Sequence, residues 1–365
     1  MKRFRHLSFL LLTISFLLGT PLSAITTPNA HGGGFLKHGD TYYWYGEFKG
    51  GRSSAAHTGV SCYSSKDLKS WQFEGIALHV ESNKDSEITA GCTIERPKVI
   101  YNPATKQFVM WFHLELKGKG YAAARSGVAV STSPTGPFRY LYSTRSCPGI
   151  YPKNADTAAM KKLRTADYST WWTEEWKKAV HDGLFVQRDL EGGQMSRDMT
   201  LYIDDDGTAY HIYSSEENLT LQIAELTPDY LHHTGRYWRV APGGQNEAPT
   251  IFKHKDTYWM ITSGCTGWAP NAARLFSAQK ITGPWTAHGN PCRGEGAEQT
   301  FGAQGTYVLS IDGGKRFLFV ADVWNPRSHH DGYYICVPIT FENDMPVLRN
   351  ELKEVWNKQL YLPKQ

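Results

Sequence analysis

Short runs of apolar, often alternating residues recur along this chain, broken by turns rich in Gly, Asp, Asn and Lys. Two of them, "HGGGFLKHGDTYYWYG" from His31 and "EAPTIFKHKDTYWMITSG" from Glu247, share a K-H-x-D-T-Y-aromatic core. Three more follow the same plan: "ERPKVIYNPATKQFVMWF" from Glu95, "DMTLYIDDDGTAYHIYSS" from Asp198 and "QGTYVLSIDGGKRFLFVA" from Gln304. Each has a distinctive first residue, an apolar strand, a polar turn and an aromatic strand, which is the pattern of a β-hairpin. A second strand pair trails the hairpins, as in "GVSCYSSKDLKSWQFEG", "GVAVSTSPTGPFRYL", "LQIAELTPDYLHHTG" and "ARLFSAQKITGPWTAHG". Four strands in each of five units predict an all-β fold, a five-bladed β-propeller. A β-helix would repeat at a much shorter period, and a sandwich would not keep this phase.

From about Ser146 to Met195, between the second and third units, the pattern lapses. Within it "STWWTEEWKKAVHDG" predicts a helix, with Ser169 or Thr170 as cap, early acids, later lysines and Gly183 as stop. Trp171, Trp172 and Trp176 would crowd one side of it. The insert is expected to wall a pocket at the propeller mouth and admit a chain end. The alternative is a helix packed on the propeller without ligand contact.

The chain opens with Lys2, Arg3 and Arg5, then the short apolar run "LSFLLLTISFLLG", then small residues ending at Ala24. Residues 1–24 are expected to be an export signal, leaving a catalytic propeller over 25–365 in the periplasm or outside the cell. The apolar run is shorter than a membrane span. Removing the signal brings the formal charge from +4 to +1, which leaves no footprint for nucleic acid. The six cysteines are widely spaced with no C-x-x-C pair, against a zinc site; disulfides and buried thiols both remain open. Twelve Trp and 20 Tyr suit a carbohydrate partner, since aromatic faces stack on sugars, but they also suit strands. A monomer is expected.

In a propeller the first strand of each blade lies nearest the axis. His31, Glu95, Asp198, Glu247 and Gln304 should therefore share one mouth, with a second ring from Glu47, His113, Glu216, Thr266 and Asp322. Three acids in the inner ring would repel each other near an apolar wall, and burial and like charge both raise a carboxyl pKa. One of them would hold a proton near neutrality and could act as a general acid, as glycoside hydrolysis requires. The alternative reading is polar residues that solvate a rim. The three glycines after His31 either let backbone approach a ligand or relieve crowding at the axis. Trp268 is a candidate stacking platform or a core residue. "NLT" at Asn218 has the pattern of a glycosylation site.

"NAHGGGFLKHGDTYYWYGE", "ERPKVIYN", "SRDMTLYIDDDG", "NEAPTIF", "SGCTGWAPN" and "FGAQGTYVL" resemble glycoside hydrolase family 43, and within it the branch of the exo-β-1,3-galactanases. That resemblance implies single displacement with inversion. It makes Glu247 the general acid and Asp198 the residue that orients it and tunes its pKa. Most of the family has an Asp in the first blade as general base; here the site reads "AHGGG". The branch shares that gap, and in it a Gln matching Gln304 positions the water, proposed as its imidic tautomer. A neutral amide is a poor base, so Glu95 and then His31 follow as candidates. The resemblance also makes Glu95 a sugar-binding residue and places Glu47, Tyr121 and Thr266 around the sugar.

These readings combine into an exported, exo-acting, inverting hydrolase that removes galactose from β-1,3-galactan-type chains. Its partner would be an oligo- or polysaccharide and it would need no cofactor; calcium in the channel is compatible with the fold, but no ligand cluster in the sequence demands it. The alternatives are an α-L-arabinofuranosidase or β-galactofuranosidase of the same family, and a carbohydrate-binding propeller without turnover.

Overall fold

The computed structural model describes residues 28–51 and 54–350. The expected export signal, 1–24, lies outside the described residues. Blade 1 is β1 (His31–His38), β2 (Thr41–Glu47), β3 (Gly59–Ser65) and β4 (Gln72–His79). Blade 2 is β5 (Thr93–Asn102), β6 (Gln107–Glu115), β7 (Arg125–Ser131) and β8 (Arg139–Thr144). An insert with three short helices follows: α1 (Thr157–Met160), α2 (Glu174–Asp182) and α3 (Leu184–Arg188). Blade 3 is β9 (Met199–Ile203), β10 (Ala209–Ser215), β11 (Thr220–Leu226) and β12 (His233–Val240). Blade 4 is β13 (Glu247–His254), β14 (Thr257–Ser263), β15 (Arg274–Ala278) and β16 (Thr286–Gly289). Blade 5 holds β17 (Cys292–Arg293), β18 (Gln304–Ile311), β19 (Arg316–Val323), β20 (Tyr333–Glu342) and β21 (Met345–Arg349). Four blades are antiparallel meanders; in the fifth, β17 adds a parallel outer edge to β21.

The inner strands touch in a ring: β1 meets β5, β5 meets β9, β9 meets β13, β13 meets β18, and β18 returns to β1. Alternation along each inner strand makes this ring. Val99 packs toward blade 1 while Ile100 packs toward blade 3. Likewise Ile251 faces blade 3 and Phe252 faces blade 5. Each of the five seams is thus filled from both sides. Blades 5 and 1 meet through Phe35 and Trp44 against Leu309, Leu318 and Tyr334.

The first strands of blades 1, 2, 4 and 5 share one irregularity. Their pairing slips within the first few residues, between His31 and Gly34, Glu95 and Lys98, Glu247 and Thr250, and Gly305 and Tyr307. Such a bulge bends the strand and re-aims a side chain. In three blades the residue where the slip begins is followed by a left-handed one: Gly32 at φ +59°, Arg96 at +53° and Ala248 at +49°.

The insert differs from expectation in two respects. Thr173, not Ser169 or Thr170, caps α2, its Oγ1 accepting from Trp176 N at 3.2 Å. The helix does end at Gly183, at φ +106°. Trp176, Ala179 and Val180 face inward onto Leu184, Phe185 and Leu219, so the insert packs on blade 3. Trp171 and Trp172 precede the helix and lie exposed over Trp176. No residue of 146–195 lines the central cavity. All six cysteines lie among the described residues and are unpaired, five of them buried. Among the described residues no helix is long and apolar enough to cross a membrane.

Candidate active site

At one mouth of the ring lies a cavity of about 290 Å³. Glu95, Asp198, Glu247 and Gln304 line it, each at or next to the start of an inner strand. Glu47 and His113 join from second strands, opposite His31 and Glu95 in register. Tyr121 and the half-exposed Trp268 complete its rim.

Glu247 is held by its neighbours. Asn218 Nδ2 donates to its Oε1 at 2.7 Å. Burial raises its pKa to about 7, and the charge of Asp198 adds to the rise against Arg96 and Asn218. A carboxyl near 7 is half protonated at neutral pH, which suits proton donation. Asp198 Oδ2 accepts from Ala248 N at 3.1 Å and pairs with Arg96 Nη2 at 2.9 Å. It therefore fixes the backbone next to Glu247 as well as adding charge.

Arg96 is the centre of the site. Its left-handed bulge turns its own N–H to Glu47 Oε1, at 2.9 Å, and its guanidinium toward blade 5. There Nη1 donates to Gly305 O at 3.0 Å and Nη2 to Gln304 Oε1 at 2.5 Å. Trp324 Nε1 also donates to Gln304 Oε1, at 3.0 Å, while Gln304 Nε2 donates to Ser263 Oγ at 2.9 Å. Arginine and the indole are donors only, so these contacts fix which way the amide points: oxygen toward Arg96 and Trp324, nitrogen toward Ser263.

Glu95 carries a different charge environment. Tyr121 Oη donates to its Oε1 at 2.8 Å, and His113 Nδ1 lies 3.1 Å from Oε2. Burial opposes ionisation, but His113 and then Lys49 outweigh it and hold Glu95 near 2. His113 sits between Glu95 and Glu115, and against the cost of burial these carboxylates raise it to about 9. Glu95 is thus a firm anion, suited to gripping hydroxyls. Burial lifts Glu47 above its ordinary value, with Lys49, 2.5 Å from Oε2, opposing. Glu95, His113 and Asp198 each bring one potential metal-ligand atom within 4.8 Å of the others. Arg96 and the His113 imidazolium already supply positive charge to those carboxylates.

Four expected residues, His31, Asp322, Thr266 and Glu216, do not reach the cavity. His31 is buried against Asp322, with Nδ1 3.3 Å from Oδ1, and stacks on Tyr334 at 5.1 Å. The glycines after it relieve crowding: a Cβ on Gly32 would stand 2.2 Å from Glu47 Oε1, and one on Gly34 would stand 2.4 Å from Lys98 Cδ. Thr266 lies past the end of β14, so Ser263 is the residue opposite Glu247. Its hydroxyl donates instead to Ala269 O at 2.5 Å. Glu216 is fully buried, locked to Arg239 at 2.7 and 2.8 Å. Asn218, which has the pattern of a glycosylation site, has its amide on Glu247.

Sequence reasoning missed Arg96, Lys49, Arg197, Asn218 and Trp324, all of which line the cavity. One signal was available: Pro97 after Arg96 lacks an N–H, so a break in strand pairing there was readable.

A ring of carboxylates with one near neutrality and one ionised, set in a five-bladed propeller beside a half-exposed tryptophan, suits the cleavage of a glycosidic bond. A family model for "Glycosyl hydrolases family 43" matches residues 172–332. A GH43 β-1,3-galactosidase solved with galactodeoxynojirimycin is 55% identical, with a TM-score of 0.87 over 88% of this chain and 94% of that one. The exo-β-1,3-galactanase from Clostridium thermocellum is 34% identical, with a TM-score of 0.70 over 88% of this chain and 61% of that one. The exo-β-1,3-galactanase from Phanerochaete chrysosporium, solved with galactose, is 30% identical, with a TM-score of 0.71 over 89% of this chain and 65% of that one. No curated protein sequence matches. The chain belongs to glycoside hydrolase family 43 and is a glycoside hydrolase.

Proposed function

We propose that the protein removes single galactose units from the non-reducing ends of β-1,3-linked galactan, with inversion. The observation that carries this reading is Glu247: a cavity-lining carboxyl held near pKa 7. It protonates the leaving glycosidic oxygen. Asp198 orients it through Ala248 N and raises its pKa. Glu95, ionised and braced by Tyr121 and His113, grips ring hydroxyls. Gln304 places the attacking water, its amide held in one orientation by Arg96 and Trp324. Of the three water-handling candidates, His31 drops out because it is buried away from the cavity.

The cavity volume supports exo action, since it sits at the small end of the ~300–1,000 Å³ range of ligand pockets. The galactosyl preference is supported by the names of the similar enzymes. Export is supported by the positive and apolar segments within residues 1–24. The test is incubation with β-1,3-galactan and with aryl galactoside and arabinofuranoside, followed by NMR of the first product. Released α-galactose supports the proposal. A β product rules out single displacement, and arabinose alone rules out the galactosyl assignment.

A further inference from the structure

The turn between β10 and β11 has a backbone that ordinary residues avoid. Glu216, Glu217 and Asn218 are all left-handed, at φ +52°, +59° and +62°. Single left-handed residues occur in turns, but three non-glycine residues in succession persist only where surrounding contacts over-determine them. Those contacts come from the insert and from blade 3. The buried Glu216 carboxylate is gripped by Arg239, whose guanidinium also donates to Val180 O and His181 O, each at 2.8 Å. Those carbonyls end α2, where a helix favours a cation. Glu217 lies between Arg188 of α3, at 2.9 Å, and Arg197, at 3.1 Å. Leu219, directly after the turn, is buried in the insert's own core beside Trp176, Val180 and Phe185. What the turn presents to the cavity is Asn218, with its amide 2.7 Å from Glu247.

We propose that the insert braces the general acid: it holds residues 216–218 in their left-handed shape so that Asn218 keeps its amide on Glu247. This gives the insert a catalytic consequence although none of its residues lines the cavity. Asn218 fixes one carboxyl oxygen, which leaves the other to carry the proton. Leu219, Val180 and Arg239 are positioning residues that act through it. The charged and titratable groups facing Glu247 are Asp198, Arg96 and the Cys265 thiol, and none of them is part of the brace.

The inference rests on Glu247 being the acid. Its test is the pH dependence of kcat/KM on β-1,3-galactobiose for wild type, Leu219→Ala, Asn218→Ala and the double variant. Both substitutions are uncharged, so neither adds a field at Glu247. Loss of the Asn218 donor disfavours the ionised carboxylate, so the alkaline limb should move upward, by about half a pH unit. Leu219→Ala should move it the same way, and the double variant no further than Asn218→Ala alone. An unmoved limb in Leu219→Ala, or fully additive movement in the double, overturns the brace. Should Leu219→Ala fail to fold, Val180→Ala takes its place with the same two outcomes. Glu247→Gln separates the layers of the argument. If it still turns over the disaccharide, the acid assignment fails. If it is inactive while the limb stays put in Leu219→Ala, only the brace fails.

Discussion

Blades 1 and 4 share a K-H-x-D-T-Y-aromatic hairpin core and nearly the same opening backbone, yet one provides room and the other an acid. In both, the inner strand slips register after its first residue and passes through a left-handed second residue. His31 and Glu247 occupy equivalent places. What differs is the residue across the pair. Glu247 faces Ser263, which is small and already engaged by Gln304 Nε2. His31 faces Glu47, and its own strand gives up side chains at 32, 33 and 34 so that Glu47, Arg96 and Lys98 can fill the axis. A repeat supplies geometry; the cross-strand partner decides whether that geometry becomes chemistry.

The strongest way to sharpen the contrast is at the acid itself. Glu247→Gln should cut kcat on β-1,3-galactobiose by about a thousandfold, with binding of galactose retained in calorimetry. The same carboxyl predicts that kcat/KM falls by about tenfold per pH unit above the value near 7 at which it ionises. The sign follows because the donor must be protonated. Next come the two blade-1 positions. Gly32→Ala forces a methyl into Glu47, which is pinned by Lys49 and by Arg96 N. It should lower stability by about 3 kcal/mol in thermal or denaturant unfolding. His31→Asp, which puts an acid into the first blade, would set its carboxylate face to face with the buried Asp322. It should cost about 3 kcal/mol of stability and bring no gain in rate; a faster enzyme would break the comparison. Trp324→Phe removes one of the two donors that aim Gln304, so kcat should drop about tenfold with the fold intact by circular dichroism. Smallest of all, Ala248→Gly at the blade-4 bulge should change stability by about 0.5 kcal/mol or less.

Much of this architecture was readable beforehand. Hairpins in constant phase announce five blades, and the first residue of each hairpin announces the mouth. Glu95, Asp198, Glu247 and Gln304 could therefore be named from strand starts alone. The reading failed where structure departs from simple alternation. Arg96 enters the site because a bulge reverses its direction, and no residue pattern states a positive φ for arginine. Asn218 was visible only as a modification motif because its turn is held by contacts from an insert far away in sequence. Thr266 was misplaced because β14 ends three residues earlier, at Ser263. Glu216 was expected at the mouth from its place at the end of a second strand, yet Arg239 draws its carboxylate inside, away from the cavity. The insert's place in a blade-to-blade link suggested a pocket wall, but Trp176 serves the insert's own core and Trp171 lies over it.

The unpaired cysteines carry a practical corollary. Burial pushes all six thiols above their ordinary value, Cys92, Cys147, Cys292 and Cys336 to about 12, so the nucleophilic thiolate is scarce at each. The ring coheres by packing, without covalent staples. The folded enzyme should keep the same activity and thermal stability with or without dithiothreitol.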